Sequence, residues 1–302
     1  MKTIKGYKAY DKGLKCKDFQ YEVGKEYEHK DPLKICESGF HFCENPLDVL
    51  NYYNIIESEF SEVEAIGKIV KNKDEDTKMA TDKIKIGVKL DLPMFIKASF
   101  DFLWKVCGKK DKNQLAASGH YAQLAASGHS AQLAASGHSA QLTASGDYAQ
   151  LAASGDYAKL AASGDSAKLA ASGHYAQLAA SGDYAKLAAS GHYAQLAASG
   201  DSAKLAVSGH YAQLAASGHS AQLAASGDYA KLELNGNKNV GANIGIDGKI
   251  KGKIGCWITL AEYKYVNGKH EPIIVLSAKI DGKKLKEDTW YIVRNSKFVE
   301  YK

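Results

Sequence analysis

Arginine is almost missing from this chain: of 39 basic residues only Arg294 is arginine. Without it the planar fork that reads phosphates and guanines is lacking, so a net charge of +5 argues poorly for a nucleic-acid partner. Nowhere do about eighteen apolar residues run together, which argues against a membrane partner or span. The start, Met1 to Tyr10, has no continuous apolar stretch of the signal-peptide kind. Five cysteines (Cys16, Cys36, Cys43, Cys107, Cys256), an odd number without a secretory signal, favour reduced thiols and an intracellular setting. GxSxG, P-loop, HExxH and paired-cysteine zinc patterns are also lacking, so no cofactor is expected.

What the chain has is a repeat. From Asn113 a partial unit, NQLAASG, leads into thirteen full nine-residue units running from His120 to Gly236. Ser-Gly recurs too often for helices to nucleate, which leaves an extended reading. The deviant units orient it. Thr143 and Glu233 occupy the sixth position, whereas Val207 and Leu234 occupy the seventh. The sixth position therefore reads as solvated and the seventh as buried. Parity then sends positions three, five and seven inward and positions two and four outward. Each Ser-Gly with the following His or Asp would make a corner, with glycine supplying positive φ. A lone strand cannot cover its apolar face, but stacked coils bury it as a column, so the repeat predicts a β-solenoid of six to seven coils. Two units per coil would place Tyr at position two in six of seven odd units; a three-unit coil sorts Tyr from Ser equally well, and the His/Asp position gives two units a slight preference by a single case.

Position one is His in seven full units and Asp in six, and five of the six Asp units carry Lys at position four. This reads mainly as charge balance on a solvated surface, because single-sign ladders one strand apart would repel. The outward tyrosines (Tyr121, Tyr148, Tyr157, Tyr175, Tyr184, Tyr193, Tyr211, Tyr229) are the candidate binding residues, forming a ladder for self-association or a protein partner. The units from His120 to Gly236 hold seven acidic residues against five Lys, too balanced for DNA mimicry, and a single Thr, too few for ice binding. Their small-residue coils resemble those of ice-nucleation proteins, which have a different period.

The flanks are non-repetitive. Residues 1–112 read as an α+β domain, with strands at Ile4 to Tyr10, Glu62 to Val70 and Lys83 to Leu92. Asn45-Pro46 predicts a helix start running to about Asn54. A second helix is predicted from Pro93 to about Gly108, with Phe95, Phe100, Leu103 and Val106 on its apolar face. Residues 237–302 lose the nine-residue wording and predict a β-rich cap with hairpins at Asn267-Gly268 and Asp281-Gly282. The expected architecture is mainly β: an α+β head, a solenoid over 113–236 and a cap.

The segments KGYKAYDKGLKCKDFQYEVGKEY, CESGFHFCENPLDVLNYYN and FSEVEAIG resemble an uncharacterised domain family of phages and prophages of low-GC Gram-positive bacteria. A tail like GCWITLAEYKY often accompanies such domains. The resemblance implies a phage or prophage protein of the bacterial cytoplasm or the virion, and names no catalytic residue. Within it, GFHFCENPLDVLNYY is similar to the strand-then-helix segment of ADP-ribosyltransferase-like folds, which would make His41, Tyr53 and Glu64 catalytic candidates. The chain departs from that pattern, because the strand Ile4 to Tyr10 holds neither Arg nor His. Cys36, His41 and Cys43, with Cys16 as a recruit, are the residues a metal could use, although C-x₄-H-x-C is not a zinc signature. The preferred reading is a non-enzymatic structural or protein-interaction protein. The alternatives are an NAD-using enzyme and a counter-defence inhibitor that sequesters a host protein or nucleotide.

Overall fold

The computed structural model describes residues 3–71, 76–107 and 114–301. The chain divides into two compact units, Met1–Val106 and Cys107–Lys302. The expected junction of head and repeat at 112/113 lies outside the described residues, as does the helix end at Gly108.

The first unit is built on β1 (Ile4–Tyr10), β2 (Lys15–Cys16), β3 (Phe19–Gln20), β4 (Glu26–Glu28), β5 (Phe40–Cys43), β6 (Glu59–Ala65), β7 (Ile69–Lys71), β8 (Lys78–Thr81) and β9 (Lys83–Leu90), followed by helix α1 (Leu92–Cys107). Seven strands form one sheet in the order β4-β9-β6-β1-β5-β8-β7, while β2 and β3 pair as a separate hairpin. All pairings within this sheet are antiparallel. The single strand expected over Glu62 to Val70 is thus two, broken at Gly67. Asn45 caps as expected, its side chain accepting from the Leu47 N–H, but the element it caps is a 3₁₀ helix over Pro46–Asn51 rather than a helix to Asn54. Asp91 starts α1 by accepting from the Met94 N–H at 2.8 Å. Helix α1 buries Phe95, Ile96, Ser99 and Leu103, whereas Val106 is 57% exposed and leaves the predicted apolar face.

The second unit is a β-solenoid with two units per coil: Gln132 pairs with Gln150 and Gln141 with Lys159, each eighteen residues on. From Gln114 to Leu234 each strand is the four-residue segment at positions four to seven, Q/K-L-A-A in most units, and these strands stack in parallel register into two sheets. The front sheet begins at Gln114–Ala117 and Gln132–Ala135, and the rear sheet at Gln123–Ala126 and Gln141–Ala144. Leu at position five and Ala at positions three and seven form one continuous core from both sheets, as parity predicts.

Position six departs from expectation. It is exposed on the front sheet, but on the rear sheet Ala125, Thr143 and Ala161 are at most 4% exposed and Glu233 is 9% exposed; position four, also expected outward, is buried there at Gln141 and Lys159. A nine-residue repeat cannot distinguish the two faces of an eighteen-residue coil, so the sequence alone assigned them one environment. Glu233 keeps a partner, Lys251 at 3.1 Å.

The corners also differ from the expected chemistry. Positive φ falls on position two, Tyr or Ser at 56–62°, and, apart from Gly119 at +150°, not on the Ser-Gly glycines. Glycine is needed for a different reason: from Gly146 to Gly236, a Cβ would lie 2.0–2.2 Å from the carbonyl oxygen of the glycine one coil earlier. Left-handed backbone costs a residue with a Cβ about 1–2 kcal/mol. Here each position-two N–H is fixed by the position-one carbonyl of the next coil, as in Tyr121 to His138 at 2.8 Å.

The nine-residue spacing outlasts its wording. Gln222 pairs with Val240 and Lys231 with Lys249, still eighteen apart, before Val240 pairs with Trp257 at seventeen. Among the described residues each sheet therefore holds eight stacked parallel strands, up to Val240–Asn243 and Lys249–Gly252, before Trp257 joins the front sheet. Here buried Asn replaces Ala: Asn239 accepts from the Ala221 N–H, and Asn243 donates to the Ala230 carbonyl. The front sheet closes on the hairpin Trp257–Val266/Lys269–Lys279, turning at Asn267-Gly268 as predicted. Its outer strand carries Lys269, Glu271, Pro272 and Lys279, a composition that blunts an open edge. The rear sheet closes on Tyr291–Arg294/Lys297–Glu300, which turns at Asn295-Ser296. Asp281-Gly282 is no hairpin: the Asp281 carboxylate accepts from the N–H groups of Lys283, Lys284 and Leu285 and winds a loop.

Candidate functional site

In the first unit, β1, β5, the β2–β3 hairpin and the end of the 3₁₀ helix converge on a pocket of about 650 Å³. Strand alternation puts Gly6, Lys8 and Tyr10 on one face of β1. Tyr10 belongs to the apolar core, so Lys8 is carried inward with it and is 5% exposed. Its Nζ donates to the His41 carbonyl at 3.2 Å and lies 3.9 Å from Cys16 Sγ. It also sits 5.3 Å from the ring centroids of both Tyr10 and Tyr21. Burial pushes the Lys8 ammonium below its ordinary pKa. Cys16 Sγ in turn meets the Tyr53 hydroxyl at 3.2 Å, and burial raises that phenol above its usual range.

His41 and Tyr53 both line the pocket. Glu64 does not: it projects from β6 toward Lys5 at 3.8 Å. The three residues that the ADP-ribosyltransferase resemblance names are therefore not brought together. His41 is held as a brace. Its Nε2 accepts from the Cys36 N–H at 2.9 Å, and it makes a further backbone hydrogen bond to Lys34. Both contacts pin the loop that carries Cys36, which has a φ of 68°. Burial, then Lys78 and Lys8, lower the His41 pKa, consistent with a neutral ring. An Nε2 lone pair used in this way cannot also bind a metal. Cys36 Sγ accepts from Lys78 Nζ at 3.1 Å and Cys43 is buried, and no cluster of three ligating side chains occurs among the described residues.

Lys8 and Lys78 were not singled out from the sequence, and Cys16 was named only as a recruit for a metal. The available signal was Lys8 itself, set between Gly6 and Tyr10 on what becomes the covered face of a strand.

On the solenoid, the eight candidate tyrosines do not form one ladder. Tyr121, Tyr157, Tyr175, Tyr193, Tyr211 and Tyr229 lie on the corner leading from front to rear sheet, with Ser139 among them. Tyr148 and Tyr184 lie on the opposite corner. From Tyr157 to Tyr229 five rings stack at centroid spacings of 4.9–5.1 Å, with planes within 9°. His174, His192 and His210 stack beside them at 4.9 Å. The opposite corner carries Asp147, Asp165, Asp183 and Asp201 in four successive coils.

One rule explains the His/Asp choice at position one. The side chain accepts from the position-one N–H of the next coil: Asp165 Oδ1 from Asp183 at 2.9 Å, His174 Nδ1 from His192 at 3.0 Å. Either residue offers a δ-position acceptor, which is what the backbone requires.

Two shallow grooves of about 1110 and 1030 Å³ flank the outward Ala row of the front sheet. They are larger than the first unit's pocket but present mainly methyl, hydroxymethyl, amide and Lys groups. The first unit's pocket, by contrast, gathers a buried lysine, two histidines and three thiols, Cys16, Cys36 and Cys43. No helix among the described residues is long and apolar enough to cross a membrane. Neither a curated protein nor a solved structure matches the chain. Residues 4–98, from β1 into the first turns of α1, match a family model described as a domain of unknown function (DUF7666), so the protein joins an uncharacterised N-terminal domain to a β-solenoid scaffold.

Proposed function

We propose that the protein is a non-enzymatic structural and interaction protein, of phage or prophage type, whose solenoid is a rigid scaffold that self-associates through the Tyr corner. The observation that carries this reading is the uninterrupted stack from Tyr157 to Tyr229. Each of its rings is 43–46% exposed, and together they make a flat aromatic strip. Stacking within the chain fixes the rings before any partner arrives, so little side-chain entropy remains to be lost on docking. Aromatic edges with a hydroxyl at the rim suit a seam that is apolar at its centre and wet at its border.

Sedimentation velocity of the full chain over a wide concentration range tests the proposal. The comparison is a variant with Tyr175, Tyr193 and Tyr211 replaced by Ser, the residue that already occupies this corner at Ser139. Concentration-dependent assembly of the wild type that the variant loses is expected. A wild type that stays monomeric at high concentration removes the self-association part of the reading.

A further inference from the structure

Lys8 is a buried amine whose surroundings do not account for it. Among the described residues no carboxylate lies within ion-pair distance of its Nζ, and its neighbours are one carbonyl, one thiol and two tyrosine rings. Buried ammonium groups are ordinarily paired, because an unpaired one loses hydration without compensation. The two acids that line the pocket have partners elsewhere. Asp31 lies 3.9 Å from His29, and Glu37 lies 2.8 Å from Lys34. Three donors on Nζ against one carbonyl and a distant thiol leave capacity for a further acceptor.

The rest of the pocket is aromatic. Phe19 packs edge-on against Tyr21 at 4.7 Å and reaches Phe40 at 6.2 Å, yet Phe19 is 44% exposed at the mouth. On another part of the wall, Lys78 sits 3.9 Å above the Tyr52 ring, adding a second cation.

We propose that this pocket binds a small planar organic anion, its carboxylate or equivalent acidic group received by Lys8 and its body packed against the aromatic wall of Phe19, Tyr21 and Phe40. An anion beside Lys8 supplies the missing acceptor and the missing counter-charge together. The charge-assisted hydrogen bond it forms is of the stronger kind. The aromatic wall gives a flat body apolar contact while leaving its size open. Lys78 adds attraction at longer range.

The test is calorimetric titration of the full chain with benzoate, and with benzamide as the uncharged match in shape. Saturable benzoate binding is expected, with benzamide weaker by about tenfold or more. Lys8→Met keeps the length of the side chain and removes its charge. It should weaken benzoate by about 10- to 100-fold while the urea midpoint holds or rises, because a buried amine with unfilled donors is gone. Equal affinity for benzoate and benzamide overturns the proposal, as does the lack of any saturable benzoate binding at millimolar concentration. So does a Lys8→Met protein that binds benzoate as the wild type does. Should the variant fail to fold, the comparison of the two probes on the wild type still decides.

Discussion

The two units solve the same problem, burying a sheet, by opposite means. The solenoid's core is one Leu and two Ala per strand, and its specificity lies in backbone approach: glycine over glycine, an N–H capped by the side chain of the coil before. The first unit packs individual shapes, with Tyr10 bonded to Ser61, Phe60 against Phe95, and Lys8 over two tyrosines. In the solenoid the row decides what a residue does. In the first unit the single position decides, which is why that unit has collected a pocket of unlike groups.

That contrast is most sharply tested at glycine. Gly191→Ala places a methyl 2.0 Å from the Gly173 carbonyl oxygen, so backbone must move in a stack that repeats the contact on both sides. A loss of about 3 kcal/mol or more is expected in urea unfolding. Gly13→Ala in the first unit meets nothing within 4 Å and carries only the cost of a φ of +80°, about 1 kcal/mol. Equal losses at the two sites would break the comparison.

Position one gives a finer test. His192→Ala removes the Nδ1 acceptor for the His210 N–H and should cost about 1 kcal/mol, whereas His192→Asn retains a δ-oxygen and should be near neutral. Indistinguishable Ala and Asn variants would show that the cap is incidental.

In the first unit the corresponding histidine is His41, and its response is to pH. Its folded pKa is lowered from 6.5, chiefly by burial. As pH falls below that ordinary value the unfolded chain takes up a proton that the folded ring resists, so stability drops toward acid. Urea midpoints at pH 7.5 and 5.5 should therefore differ more for the wild type than for His41→Gln; parallel shifts would clear His41 of the effect.

The smallest effect is expected from the largest edit. Removing one whole coil, Asp165–Gly182, should leave a folded solenoid with a slightly lower melting temperature, because each coil touches only its neighbours. Collapse of the strand signal on circular dichroism would mean that the coils are not interchangeable.

Much of this was legible in the residues, because a strict repeat multiplies every local signal. Thr143 and Glu233 at position six against Val207 and Leu234 at position seven carried the strand parity, while the two-unit coil was preferred to a three-unit one by a single case at the His/Asp position. The 3₁₀ helix after Asn45-Pro46 was legible as a start but not as a length, since its end depends on packing rather than capping. The continuation past Gly236 was hidden because the spacing persists where the wording stops: Asn239 and Asn243 satisfy backbone groups where the repeat has Ala.

Period and side-chain chemistry are local properties, so the order of residues was enough to establish a nine-residue β-repeat, its inward face and a separate head without a catalytic signature. Folding in three dimensions settled which glycine contacts are compulsory, why His and Asp interchange, and that eight tyrosines divide between two corners. It also brought Lys8, Cys16 and Tyr53 into one pocket and left Glu64 outside it. Each of those depends on a residue eighteen positions away or on a neighbouring strand, and such distances are set by stacking and pairing rather than by order along the chain.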